Sequence, residues 1–197
     1  MLEVINLSKS FKGLTVLKNV SLRLEEPGLY ILNGVNGSGK STMLRLIAGM
    51  LYKSSGKILD NTTISYLPDR FTMPKLMRVK DYLEIIIGNK DNTERLISTY
   101  QIPNTLIGAL SKGNLQKLGI LQILNRDSEV YLFDEPIDGL DDFAKRLFKD
   151  EIKRKIKEDH AIILMSLHNK SYFNDLKPTV FNIKDGEINE RKRRKEA

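Results

Sequence analysis

The stretch Gly34-Val35-Asn36-Gly37-Ser38-Gly39-Lys40-Ser41-Thr42 follows the apolar run Leu29-Tyr30-Ile31-Leu32 and precedes the helix-like MLRLIAGM. It satisfies GxxxxGK(S/T), the phosphate-binding loop that joins a buried strand to a helix. Gly34, Gly37 and Gly39 carry no Cβ, so the backbone can wrap closely around a polyphosphate with successive N–H groups pointing inward. The helix that opens behind them adds partial positive charge at its N-terminus. In such a loop Lys40 neutralises the β- and γ-phosphates, Ser41 holds the bridging magnesium ion, and Thr42 donates a further hydrogen bond. A glycine-rich turn that binds nothing is the competing reading, and the flanking strand and helix argue against it.

Outward from this loop, strand-like and helix-like segments alternate. Residues 2–7 and 16–24 read as antiparallel strands, the second alternating in Val20, Leu22 and Leu24. Residues 29–32 form a short, wholly apolar strand, the pattern of one covered on both faces. A helix is expected from Lys40 to about Met50, then two short strands, the second over residues 64–67. Residues 71–125 turn helical through VKDYLEIII, TERLISTY and SKGNLQKLGILQILN, the last with Leu115, Leu118 and Leu121 on one apolar face. Buried strands return at 130–133 and 161–166, separated by a charged helix over about 141–157, and residues 180–183 with the turn Lys184-Asp185-Gly186-Glu187 close the fold.

The strand Val130-Tyr131-Leu132-Phe133 ends in Asp134 and Glu135. An acid at the end of an apolar strand downstream of a phosphate loop holds the magnesium shell, which assigns Asp134 beside Ser41 as a metal ligand. Glu135, one residue further, is placed to orient and deprotonate an attacking water. Two adjacent acids alone are an ordinary surface feature; the phosphate loop gives the pair its meaning.

Together these elements resemble the nucleotide-binding subunit of ATP-binding cassette (ABC) transporters over nearly the whole chain. Leu110-Ser111-Lys112-Gly113-Asn114 stands where the family has its LSGGQ signature. The segment from Glu135 to Asp141 resembles the D-loop, and Ser166-Leu167-His168 resembles the segment of the switch histidine. Phe11 stands where the family has an adenine-stacking aromatic ring. The resemblance implies an α/β fold: a P-loop NTPase (RecA-like) core with an N-terminal antiparallel β subdomain and a short inserted helical subdomain. The expected division is one domain over residues 1–190, with 1–70 and 126–190 as core and β subdomain, 71–125 as helical subdomain, and 191–197 as a basic tail.

The same resemblance assigns ATP and Mg2+ as cofactors. It assigns Phe11, Asn36, Gly37, Ser38, Gly39, Lys40, Ser41 and Thr42 to ATP, Glu135 and His168 to catalysis, and Ser111 and Gly113 to the γ-phosphate of an opposite subunit. Asp141 belongs to the D-loop, and Asp69 joins Ser41 and Asp134 as a third candidate near the metal. Each assignment has a plainer competitor: a serine N-cap at Ser111, a structural histidine at His168, a core aromatic at Phe11. His160 receives no role. Three departures stand out: Lys112 and Asn114 replace a glycine and a glutamine of the signature, Pro68-Asp69-Arg70 stands where a glutamine is expected, and only 93 residues separate Lys40 from Asp134.

Composition sets the remaining bounds. A chain of 197 residues with 41% hydrophobic content suits one globular domain, and the absence of cysteine excludes disulfides, thiolate metal ligands and a thiol nucleophile. Apolar runs fall far short of the roughly 20 residues that span a bilayer, and the first residues lack a signal-peptide layout. The net charge of +7 includes five positive charges from RKRRK at 191–195, read as a solvated terminus, with anionic lipid or nucleic acid as alternative contacts.

The expected function is an ATPase subunit that powers a separate transmembrane permease, dimerising with itself or a related ATPase, with no nucleic acid as partner. Its place is cytoplasmic, peripheral on the cytoplasmic face of the membrane through that permease. Phe71, Met73, Leu76 and Met77 form either a docking groove for it or subdomain core. Pro68-Asp69 tilts the reading toward export. A soluble cassette ATPase of repair, translation or cofactor assembly is the alternative, and a GTPase is disfavoured because neither Asn89-Lys90-Asp91-Asn92 nor Asn169-Lys170-Ser171-Tyr172 completes Asn-Lys-x-Asp.

Overall fold

The computed structural model describes residues 1–191. β1 (Leu2–Phe11) and β2 (Leu14–Leu24) form an antiparallel hairpin, and β4 (Ser55–Asp60) pairs on the other side of β1. Asn6 and Asn19 sit at positive φ beside register shifts in the hairpin, a conformation asparagine tolerates better than most residues. Each donates its backbone N–H to a serine hydroxyl across the hairpin, Asn6 to Ser21 and Asn19 to Ser8, at 2.9 Å.

The second sheet has six strands in the order β5-β6-β7-β3-β8-β9. Its members are β3 (Gly28–Asn33), β5 (Ile64–Leu67), β6 (Val130–Asp134), β7 (Ile162–Ser166), β8 (Thr179–Lys184) and β9 (Glu187–Arg191). All pair in parallel except β9, which returns antiparallel to β8. The α/β class, the antiparallel N-terminal sheet and the strand at 64–67 agree with the sequence reading. The reading did not anticipate β9, which takes Arg191 into a strand; the rest of the expected basic tail, 192–197, lies outside the described residues.

Alternation along these strands divides the core. One face contributes Tyr30, Leu32, Leu132 and Leu164, packed on α1 (Lys40–Ile47) and the antiparallel sheet. The other contributes Ile31, Tyr131, Phe133, Ile163 and Met165, packed on α5 (Asp142–Lys157). At about 1.5–3 kcal/mol for each fully buried large apolar side chain, these two layers fix the register of every strand that ends at the site.

A third cluster joins α2 (Val79–Ile87), α3 (Lys90–Tyr100) and α4 (Lys112–Leu124). The single apolar face expected for α4 is not what forms. Leu118 and Leu121 enter the helical cluster while Ile120, Ile123 and Leu124 enter the sheet core, so the helix is buried on nearly every side. It is a shared wall between two cores, and a one-sided stripe cannot serve two. Gly119 permits this approach, since a Cβ there would lie 2.6 Å from the Phe71 ring. Phe71 packs on the sheet core and Met73 and Met77 on the helical cluster, whereas Leu76 is 90% exposed. Three of the four groove candidates are thus partly core.

Candidate functional site

Four parallel strands deliver their C-terminal ends to one edge of the sheet, where ligands of open α/β sheets bind. β3 runs into the loop 34–39, β5 into Asp69, β6 into Asp134 and Glu135, and β7 into Ser166 and His168. Pairing register sets Asp134 opposite Ser166, and Leu32 opposite Ser166 on its other side. The resulting cleft, about 440 Å³, is lined by Val16, Asn36, Gly37, Gly39, Lys40, Ser41, Thr42, Asp69, Glu135 and His168.

The loop takes its shape from two left-handed glycines, Gly37 at φ 78° and Gly39 at φ 106°. α1 then begins at Lys40 with no side-chain cap and no acid in its first turn. Its first N–H groups have no intrahelical acceptor, which leaves them as donors for an anion. Lys40 is 6% exposed and donates to the Gly34 and Val35 carbonyls at 2.9 and 3.3 Å, with Glu135 Oε1 at 3.9 Å. Its ammonium is therefore held under the loop, facing the cleft.

Below it lies a compact polar chain. Ser41 Oγ donates to Asp134 Oδ1 at 3.0 Å, and Ser166 Oγ donates to the same oxygen at 2.7 Å. The Glu135 N–H donates to Ser166 Oγ at 3.0 Å. Glu135 adopts φ 51°, a left-handed conformation unusual for a side-chain-bearing residue, and so turns back toward the cleft. The His168 N–H donates to Glu135 Oε2 at 3.1 Å, and its Nε2 lies 3.5 Å from Oε1. Burial pushes the Glu135 carboxyl above its ordinary range, against the opposing pull of His168 and Lys40; Asp138 and Asp134 add to the rise. A carboxyl of this kind is suited to exchanging a proton with water.

Asp134 is completely buried, and its Oδ2 has no hydrogen-bond partner among the described residues. A bare carboxylate oxygen in such surroundings is costly unless something occupies it. With Ser41 Oγ beside it, the donor set is all oxygen, which suits Mg2+ held by few protein ligands together with phosphate and water. The residues therefore fit both a polyphosphate and its metal ion.

The other sequence candidates lie outside this cleft. Phe11, 41% exposed, sits at the end of β1 with Lys9 Nζ 4.7 Å above its ring, so it is not a core aromatic. Ser38 is half-buried within the loop, and its hydroxyl has no partner among the described residues. Ser111 caps α4 by accepting from the Asn114 N–H at 3.2 Å. Gly113 faces its own chain: a Cβ would lie 2.7 Å from the Gly139 carbonyl oxygen. Asp141 caps α5 through the Ala144 N–H at 2.7 Å and pairs with Lys117 at 2.8 Å. The segment 135–141 and the start of α4 are thus joined at several points, including Gln116 Nε2 to the Pro136 carbonyl at 3.0 Å.

Sequence reasoning gave no role to Ser166, Asp138 or Lys117. Asp138, with Glu135 and His168, brings three ligating atoms within 4.8 Å of one another. The available signal for Ser166 was a hydroxyl inside the apolar run Ile162-Ile163-Leu164-Met165-Ser166-Leu167, a position that demands hydrogen-bond partners.

The model of the family described as ABC transporter matches residues 17–138. An uncharacterized ABC transporter ATP-binding protein of Methanocaldococcus jannaschii is 31% identical over 196 residues, covering 94% of this chain and 74% of that protein. A zinc import ATP-binding protein of Buchnera aphidicola is 29% identical, covering 86% of this chain and 75% of its own length. A cytochrome c biogenesis ATP-binding export protein of Reclinomonas americana is 31% identical, with 78% of each chain covered. Among solved structures, a dimeric ATP-binding cassette in a post-hydrolysis state with ADP and Pi superposes with a TM-score of 0.85 at 22% identity, over 98% of this chain and 99% of that one. The superposition bears on the fold, and the family match with the sequence identity bears on kinship: this chain belongs to the ATP-binding proteins of ABC transporters, and it is an ATPase that uses ATP with Mg2+.

Proposed function

We propose that the polar chain from Ser41 through Asp134, Ser166 and Glu135 to His168 is the hydrolytic centre of this ATPase. The observation that carries the reading is the buried Asp134 Oδ2, without a hydrogen-bond partner among the described residues, beneath the loop that holds Lys40. Residues 36–42 hold the phosphates through loop N–H groups and the Lys40 ammonium, and Ser41 and Asp134 are the protein ligands of the metal. Held by these two residues, Mg2+ would supply charge neutralisation to the phosphates. Asp69 reaches the same cleft and orients water near the metal. Glu135, its carboxyl raised by burial, takes a proton from the attacking water, and His168, hydrogen-bonded to it, meets the γ-phosphate.

Cassettes of this family dimerise and work with membrane permease subunits. We place Ser111 and Gly113 against the γ-phosphate of a second subunit, itself a copy or a related ATPase, and Phe11 against adenine. Ser111, at the N-cap of α4, has the hydroxyl and helix terminus that this role needs. Asp141 holds the segment between Glu135 and α5 in the shape that this closure meets. The helical region near Leu76 is the proposed docking side for the permease. An export direction rests on Pro68-Asp69 alone, while similar proteins carry both import and export in their names.

The decisive experiment is Glu135→Gln. ATP binding is retained, turnover falls by about 10²–10⁴-fold, as expected on losing a general base, and an ATP-bound dimer accumulates on gel filtration. Full hydrolysis by this variant would remove Glu135 as the base.

A further inference from the structure

Among the described residues, Ser166 is the one whose side chain hydrogen-bonds to both acids of the site. It lies at the end of β7, completely buried, between the apolar Met165 and Leu167. A hydroxyl there is unfavourable unless its donor and an acceptor lone pair are both used. Both are used, and both on the site: Oγ donates to Asp134 Oδ1 at 2.7 Å and accepts from the Glu135 N–H at 3.0 Å.

The two bonds have different consequences. Asp134 Oδ1 receives hydroxyls from Ser41 and Ser166, which fixes the carboxylate plane and leaves Oδ2 as its free oxygen. The Glu135 bond holds the backbone at φ 51°, and that turn sends the Glu135 side chain back beneath Lys40 and toward His168. One hydroxyl therefore sets the direction of the metal-ligating oxygen and of the proton-accepting carboxyl.

We propose that Ser166 is a positioning residue for ATP hydrolysis, orienting Asp134 toward the metal and Glu135 toward the attacking water. The inference rests on the roles given to Asp134 and Glu135 above. Outer-shell partners of a metal ligand commonly change metal affinity or activity by about 10–100-fold when removed.

The test uses the full chain with Ser166→Ala and the near-isosteric Ser166→Cys, whose thiol is a weak donor. Electron paramagnetic resonance of Mn2+ in the presence of ADP reads the metal site without turnover. We expect Ser166→Ala to bind Mn2+ about tenfold more weakly and to lose about tenfold in kcat, with KM for ATP changed less than about twofold. Ser166→Cys falls between, about threefold down in each. A purely structural role would lower the urea midpoint and leave Mn2+ affinity and the kcat/KM split untouched. If Ser166→Ala folds with wild-type Mn2+ affinity and kcat, the proposal is overturned. If Ala does not fold, a folded Cys variant with wild-type values overturns it equally. Absence of turnover in the wild type would overturn the hydrolytic reading itself, a result distinct from either.

Discussion

Replacing Asp141 tests whether the junction between α4 and α5 is held by a helix cap, an ion pair, or both. Its Oδ1 accepts from the Ala144 N–H at 2.7 Å, and its Oδ2 meets Lys117 Nζ at 2.8 Å. Lys117 is 7% exposed while Asp141 is 55% exposed, so the two ends of the pair differ in what they lose. Asp141→Ala removes a cap, at about 1 kcal/mol. It also strands a buried ammonium, at about 1–2 kcal/mol once the exposure of the acid is discounted. The sum is about 2–3 kcal/mol. Asp141→Asn keeps the cap through its amide oxygen but turns an NH2 donor toward Lys117, so the ion pair is lost as in Ala and about 1–2 kcal/mol of the loss remains.

Urea unfolding with an unchanged slope gives both values from the midpoints. Equal losses in Asn and Ala would refute the cap, and a loss below about 0.5 kcal/mol in Ala would refute the whole argument. The pH dependence follows from the sign of the shift. The Lys117 hydrogen bond, then the Ala144 N–H, hold the Asp141 carboxyl below its ordinary range. A depressed folded value means the contribution is fully present above the unfolded value of about 3.9 and fades as pH falls through the lower folded value. The gap between wild type and Ala is therefore flat from pH 7 to about 5 and closes below about 4.

Three other outcomes follow from the same geometry. Lys40→Ala removes the ammonium under the phosphate loop, and nucleotide binding, read with a fluorescent ATP analogue, weakens about tenfold or more. Wild-type affinity would deny Lys40 its role. Phe148→Ala opens a hole between Phe133 and Phe173, whose ring centroids lie 5.3 and 6.3 Å away, and lowers stability by about 3–5 kcal/mol in chemical denaturation. Gly113→Ala drives a methyl to 2.7 Å from the Gly139 carbonyl oxygen and costs about 1–3 kcal/mol; an unchanged melting temperature would mean that the 135–141 segment yields without resistance.

The phosphate loop was legible because its chemistry is local: two left-handed glycines, a lysine and a serine within a few residues determine the shape and the donors. The strands beside it were legible for the same kind of reason, since wholly apolar runs such as Val130-Tyr131-Leu132-Phe133 have few other places to go. α4 was misread because its burial is decided by two neighbours at once. Leu118 and Leu121 satisfy one core, Ile120 and Leu124 the other, and periodicity records only their sum. Ser166 was missed for a related reason. Its bonds run across the sheet to Asp134 and Glu135, about thirty residues away in the chain, and exist only because β6 and β7 pair with Asp134 opposite Ser166. The same logic bears on Ser111, Gly113 and Asp141. Within one chain these residues already have uses, as a cap to α4, as clearance for Gly139, and as a cap to α5 that also pairs with Lys117. Any contact they make with a second subunit must then be compatible with those uses. Because Lys112 packs its stem near Gly139 while its side chain remains exposed, this departure from the signature can be accommodated without breaking the joint between α4 and the segment that begins at Glu135.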